Sequence, residues 1–315
     1  MVLSRRTLLA GATGCLAIGL TPLSAHATTT NPLALRPFYV DPNTTAALAT
    51  KQYPADAAAL HVIASTAQAR WVGDWTTDVQ ADVNTYVSAA TAAKQMPVLA
   101  LYAIPGRDLG SYSAGGLSGP AAYAAWIDKV KAGIRGRPCA VIVEPDAVPQ
   151  GFQLSGSAQS DRVAMLRHAV NTLGVSSTVY LDGGHSRWLK VADLVTALKF
   201  IGGPLRGFSL NVSGFLTTAE EVAYGDEVAA QTGLSYVVDT SRNGLGPPSA
   251  APLNWCNPAG RSLGAKPSAS TASTHCDAYL WVKHPGESDG DCHTGDPYSG
   301  HWWNDYALGL VQRSK

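Results

Sequence analysis

Charge is scarce in this chain and evenly split. Lys plus Arg and Asp plus Glu number 23 each among 315 residues, which leaves no net charge at neutral pH. Without a basic field, nucleic acid and anionic membrane surfaces are poor partners, and a neutral ligand fits better. Cysteine is sparse too: there are five, none in a Cys-x-x-Cys pair, so the chain carries no thiolate metal motif. No Gly-x-Ser-x-Gly elbow follows a strand-like run, which removes the signature of a serine hydrolase. Beyond residue 27 no run is apolar enough for long enough to cross a bilayer, and no Pro- or Ser-rich linker divides the chain. What is present, at 46% hydrophobic residues, is the material for one large globular core.

The N-terminus stands apart. Ser4-Arg5-Arg6-Thr7-Leu8-Leu9 is a twin-arginine start, apolar residues continue to Leu20, and Ala25-His26-Ala27 is a small-x-small cleavage site. Residues 1–27 therefore read as a twin-arginine export signal, which implies a secreted, extracellular protein. A lipobox ending at Cys15 competes, but Ala12-Thr13-Gly14 matches it poorly. Residues 28–35 read as a short lead-in and residues 36–315 as one domain. Export makes disulfides plausible among Cys139, Cys256, Cys276 and Cys292, and the spacing leaves their pairing open.

Short β-rich runs recur at 69–72, 97–102, 140–143, 178–181, 207–210, 234–238 and 278–282. Helical periodicity separates them, as in 78–93, where Val79, Val83, Tyr86, Val87 and Ala90 share a face. It recurs in 161–173 with Val163, Leu166, Val170 and Leu173. Seven strands alternating with helices argue for an α/β fold, a parallel barrel or a doubly wound sheet. In both, the carboxyl ends of the strands share one face, so the residues at the exit of each run converge there. The central run, Ala140 to Val143, is unbroken and apolar, and it delivers Glu144-Pro145-Asp146. The stretch from Pro248 to Ser273 lacks periodicity and reads as a wall of the resulting cleft.

Several acids on one face, here Asp108, Asp146, Asp182 and Asp289, can keep one member protonated beside an ionised one, the layout of glycoside hydrolysis. The plainer reading, helix caps or partners for Arg107 and Arg242, is favoured for any one acid and weaker for the set. A metal held by Asp182 and His185 rests only on an Asp-x-x-His spacing, a weak signal. Trp71, Trp75, Trp188 and Trp255 lie at strand exits or in the long loop, where an indole face can stack on a sugar ring. Trp126 and Trp281 read as core; Trp302 and Trp303 read either way.

The exits also spell a family. Trp71-Val-Gly-Asp-Trp75, Tyr102-Ala-Ile-Pro-Gly-Arg-Asp108, Glu144-Pro-Asp146, Tyr180-Leu-Asp-Gly-Gly-His185 and Asn211-Val-Ser213 resemble glycoside hydrolase family six, the inverting cellulases. So do Asp239-Thr-Ser-Arg-Asn-Gly244, Trp255-Cys-Asn-Pro258 and Trp281-Val-Lys-His-Pro-Gly-Glu-Ser-Asp-Gly290, in order from about Phe38 to the C-terminus. The resemblance implies a distorted parallel (β/α) barrel of seven strands in a single domain, with no metal or organic cofactor. It also implies a β-1,4-glucan polysaccharide or oligosaccharide as substrate. By the same resemblance Asp146 is the general acid, Asp108 raises its pKa and relays a proton, and Asp289 is the candidate base, with a water chain through Ser113 as the alternative route. Tyr102 would press on the sugar at the cleavage point. Asp182, His185, Asn211, Lys283 and Glu287 would bond glucan hydroxyls, and Trp71, Trp188 and Trp255 would be stacking platforms.

Departures are informative. Family members commonly carry a disulfide between the places held here by Leu109 and Leu154, so an apolar contact is expected in its stead. The family's second bridge is matched by Cys256 and Cys292; Cys139 and Cys276 are extra, and free buried thiols are expected for them over a bridge between the two. Ala103 and Gly184 replace residues often seen as Asn and Ala. Short segments around Asp108 and Asp289 favour an endo-β-1,4-glucanase with an open cleft over an exo-acting cellobiohydrolase. A non-catalytic glucan-binding protein is disfavoured because all three key acids are present. A monomer is the default.

Overall fold

The computed structural model describes residues 30–314, so the export signal read from residues 1–27 lies outside the described residues. Seven strands form one sheet: β1 (Arg70–Gly73), β2 (Val98–Tyr102), β3 (Ala140–Val143), β4 (Thr178–Asp182), β5 (Gly207–Leu210), β6 (Ser235–Asp239) and β7 (Cys276–Leu280). All pair in parallel and in sequence order. Among the described residues the α-helices are α1 (Thr45–Gln52), α2 (Ala57–Ala64), α3 (Val79–Ala92), α4 (Pro120–Ile134), α5 (Ala147–Gly151), α6 (Gly156–Leu173), α7 (Val191–Ile201), α8 (Thr218–Thr232) and α9 (Asn304–Gln312). Several start on side-chain caps: Asp78 accepts the Ala81 N–H (3.0 Å) and Thr217 the Glu220 N–H (3.2 Å).

The strict alternation of β2 and β3 builds two apolar layers. Leu99, Leu101, Val141 and Val143 face outward to Val83, Val87, Ile127 and Leu166 of the helices. Val98, Ala100, Ala140 and Ile142 face inward, where Tyr180, Val237, Ala278 and Leu280 complete the filling. Each buried Val, Leu or Ile among them contributes roughly 1.5–3 kcal/mol and each Ala less. The inward positions are small where strands crowd: a Cβ on Gly207 would stand 1.9 Å from the Ser235 carbonyl oxygen. At the lower end, Tyr180 donates to Asp277 Oδ2 (2.7 Å), and Arg206 grips the same carboxylate through Nε and Nη2 (2.7 Å each).

β1 and β7 are joined not by a ladder but by the Ala69 N–H to the Trp281 carbonyl (2.9 Å) and by Trp71 Nε1 to the Val282 carbonyl (2.7 Å). The sheet is thus a distorted seven-stranded (β/α) barrel with one thin seam. Trp281 and Val282 belong to that seam, which is why β7 ends at Leu280, short of the predicted 282. α6 begins at Gly156, before the predicted 161, because its first turn is polar and carries no apolar period. The expected lead-in also joins the fold: Leu33 is wholly buried in the inner layer and Asn31 Nδ2 donates to the Asp277 carbonyl (2.7 Å).

Candidate active site

The strand exits are conformationally costly. Positive φ is adopted by Asp108 (56°), Leu109 (46°), Glu144 (50°), Asp146 (71°), Asn211 (63°) and Ser213 (61°), all just beyond β2, β3 or β5. Non-glycine residues held there cost on the order of 1 kcal/mol each, least for Asp and Asn, and such positions cluster at functional sites. Local structure aims the acids accordingly.

Asp146 is half-buried and heads α5. Its backbone N–H donates to Asp182 Oδ1 (2.8 Å), and the Tyr102 hydroxyl stands 3.5 Å from its Oδ2. Burial pushes its carboxyl well above the ordinary range, and the charges of Asp182 and then Asp108 push it further. Asp108 accepts the Ser113 N–H (2.8 Å) and Gln150 Nε2 (3.4 Å), and burial raises its pKa as well. Asp289 is the opposite case. Burial would raise it, but Arg242 Nη1 at 2.9 Å and Lys283 Nζ at 3.2 Å hold it below the usual value, helped by the Asn257 N–H (3.0 Å). Of the three, Asp146 and Asp108 are thus inclined to keep a proton and Asp289 is locked as an anion; Asp182 at the next strand exit is also raised by burial, to about 7.

A model of the glycosyl hydrolases family 6 matches residues 29–314. The chain belongs to this family. It is 45% identical over 284 residues to endoglucanase A of Cellulomonas fimi, covering 88% of this chain and 61% of the length of that relative. Endoglucanase 1 of Streptomyces halstedii is 39% identical over 272 residues, covering 82% and 83%. The 1,4-beta-D-glucan cellobiohydrolase CEL6C of Podospora anserina is 28% identical over 282 residues, covering 68% and 69%. Among solved structures, the endoglucanase Cel6 from Mycobacterium tuberculosis, in complex with methyl-cellobiosyl-4-deoxy-4-thio-beta-D-cellobioside, aligns with a TM-score of 0.88 at 47% identity. The alignment covers 90% of this chain and 99% of that one.

The remaining residues expected from family six divide by exposure. Trp255 (47%) and Trp188 (36%) present open faces, with His185 5.6 Å from the Trp188 ring; Trp71 is half-buried and meets Tyr102 edge to face at 5.3 Å. Burial and neighbouring Arg187 press His185 down to about 4, so its ring is a neutral hydrogen-bonding group near neutral pH. Ser113 half-faces solvent, its hydroxyl 2.8 Å from that of Ser299. Cys256 and Cys292 are bonded, and Cys139 and Cys276 are free and buried.

Asp182 and Asn211, in contrast, are wholly buried. Asp182 is occupied by the N–H groups of Asp146 and Gly184 and by the Ser209 hydroxyl, and Asn211 by the Leu216 backbone and the Asp239 carbonyl. Both support the site from beneath rather than face the cleft. Lys283, 8% exposed, is directed to Asp289 and the Ser288 carbonyl, and Glu287 to Thr45 and His284. Leu109 is 40% exposed and stands outside the buried apolar clusters, and Gln150 ties the segment after β3 to Asp108.

Sequence reading missed Arg162 and underrated Arg107 and Asp74. Arg107 donates to the carbonyls of Tyr102, Ser113 and Ala114 and to Asp74, while Asp74 also accepts the Gly116 N–H (3.1 Å). A signal for Arg162 did exist, since it shares the buried stripe of α6 with Met165, Leu166, Ala169 and Leu173. Among the described residues no His, Cys, Asp and Glu group converges in a way that would hold a metal ion.

Proposed function

We propose that this chain is a secreted endo-β-1,4-glucanase that cleaves internal bonds of cellulose-type glucans with inversion, Asp146 serving as general acid. The observation that carries the reading is the opposed treatment of the acids. Asp146 has no cation on its carboxylate and two acids beside it, so it retains a proton to give the leaving oxygen. Asp289 is so well compensated by Arg242 and Lys283 that its proton affinity is depressed, which makes it a poor direct base. A water activated along Ser113 and Asp108, whose carboxylate accepts the Ser113 backbone N–H, fits the groups better. Tyr102 lies against Asp146 at the cleavage point, and the exposed Trp188 and Trp255 offer stacking faces to sugar rings on either side. Its endoglucanase relatives at 39–45% identity support the endo mode.

The test pairs viscosity with reducing ends on carboxymethylcellulose. A steep viscosity drop for few ends released supports endo cleavage, and Asp146→Asn should abolish both while sparing the fold. Full turnover in that variant refutes the acid assignment. One observation favours the exo reading: the loop after β2 touches those after β6 and β7, Tyr112 meeting Trp255 with ring centroids 6.0 Å apart and Ser113 Oγ standing 2.8 Å from Ser299 Oγ. Reducing ends that accumulate without viscosity loss would decide for it.

A further inference from the structure

The segment between Tyr102 and Asp108 is irregular backbone, and two buried side chains that do not face the cleft hold it. Glu144 is 0% exposed and Arg162 is 3% exposed. The Glu144 carboxylate accepts the N–H groups of Ala103 (3.0 Å) and Ile104 (3.1 Å). Arg162, from α6, donates through Nη2 to the carbonyls of Pro105 and Gly106 (3.2 Å each) and through Nη1 to the carbonyl of Ala147 (3.3 Å). Consecutive peptide units are thus gripped by their N–H groups from β3 and by their carbonyls from α6. A carboxylate only accepts and a guanidinium only donates, so the two together satisfy a turn that no ladder satisfies. Burial opposes both charges, and each partly relieves the other.

The grip touches the backbone before Asp108 and on either side of Asp146. Pro105 and Gly106 immediately precede Arg107-Asp108, while Glu144 and Ala147 flank Asp146. We propose that Glu144 and Arg162 are a positioning pair that sets Asp108 and Tyr102 against Asp146. Neither touches substrate; they act through the main chain. The groups facing Asp146 are Asp182, Asp108 and the Tyr102 hydroxyl. Asp182 is fixed independently by Gly184 and Ser209 and itself holds the Asp146 N–H, so loosening the pair chiefly displaces the Asp108 and Tyr102 side.

The proposal rests on Asp146 as the acid, and the experiment separates the two. Arg162→Met, Arg162→Lys and Glu144→Gln are made in the full chain and assayed for kcat, KM, pH profile and melting temperature. In Arg162→Met, kcat should fall roughly 100-fold, as expected for a displacement near 1 Å, with KM within about twofold. The alkaline limb of its profile should move to lower pH as Asp108 recedes from Asp146. Lysine keeps the charge without the fork geometry, so it should give an intermediate kcat and limb. The Arg162→Met, Glu144→Gln double variant should cost less than the two losses combined. A wild-type limb and kcat in Arg162→Lys overturn the pair, even where the methionine variant fails to fold; a lowered melting temperature alone does not rescue it. A wild type that releases no reducing ends sinks the acid assignment instead, whereas an active wild type with unaffected Arg162 variants sinks only the pair.

Discussion

Replacing Asp146 and Asp289 by Asn should move stability in opposite directions. Asp289 is 5% exposed, Arg242 0% and Lys283 10% at the side chain, so Asp289→Asn leaves two buried cations facing a neutral amide. Removing one partner of a buried ion pair costs about 3–5 kcal/mol, and in a large domain each kcal/mol lowers the melting temperature by about 2–4 °C. The melting temperature at neutral pH should therefore fall by roughly 10 °C. Asp146 has no such partner: its folded pKa is raised by burial, Asp182 and Asp108, so its charge costs stability at every pH above the unfolded value. Its backbone φ of 71° also suits Asn. Asp146→Asn should therefore melt at or slightly above wild type, within about 1 kcal/mol. Thermal unfolding followed by circular dichroism reads both variants. An Asp289→Asn protein as stable as Asp146→Asn would refute the reasoning, because Arg242 and Lys283 would then not depend on the carboxylate. The contrast bears on mechanism as well: activity lost in Asp289→Asn does not identify a base unless the variant is shown folded at the assay temperature.

Two further perturbations test the frame around the site. His284 donates from both ring nitrogens, to Glu287 (2.8 Å) and to the Ala69 carbonyl across the seam (2.6 Å); burial opposes its charge, but Glu287 and the carbonyl raise its pKa above the ordinary 6.5 despite nearby Lys283. Its contribution is complete below the unfolded pKa and lost as pH rises through the folded one, so melting temperature should decline on the alkaline side, and His284→Gln should flatten that slope. Gly116→Ala would place a Cβ 2.0 Å from the Ile104 oxygen at φ +98°, beside the N–H that bonds Asp74; kcat should drop about tenfold or more, and an unchanged kcat would show that the Arg107 loop tolerates the shift.

Strands and the face they serve were legible because a buried parallel strand must read as an apolar run and must end in something polar. Ala140 to Val143 and Gly207 to Leu210 coincide residue for residue with β3 and β5. β7 did not, because Trp281 and Val282 are apolar for the sake of the seam and not of a ladder. The acids were legible as a set, and the surroundings that separate their behaviour were not. Asp182 and Asn211 look like any exposed polar exit residue in sequence, yet backbone N–H groups and carbonyls claim their polar atoms. Such claims depend on positive φ at Asn211 and Asp146, which no spacing of residue types discloses.

The division between proton-holding and proton-shedding acids stems from what the arginines bond. On the β2 and β3 side, Arg107 and Arg162 each lie close to the acids, but their donors go to carbonyls of Tyr102, Pro105, Gly106, Ser113, Ala114 and Ala147, and to Asp74. Asp108 and Asp146 thus gain rigid placement from nearby cations without an ion pair that would strip their protons. On the β6 and β7 side, Arg242 and Lys283 bond Asp289 itself. A change that redirected Arg107 from backbone to Asp108 would therefore lower that acid's proton affinity and, by offsetting the Asp108 charge, weaken its upward push on Asp146. Placement of the 105–116 loop and acidity of the site are in this sense one property, fixed by whether guanidinium groups meet carbonyls or carboxylates.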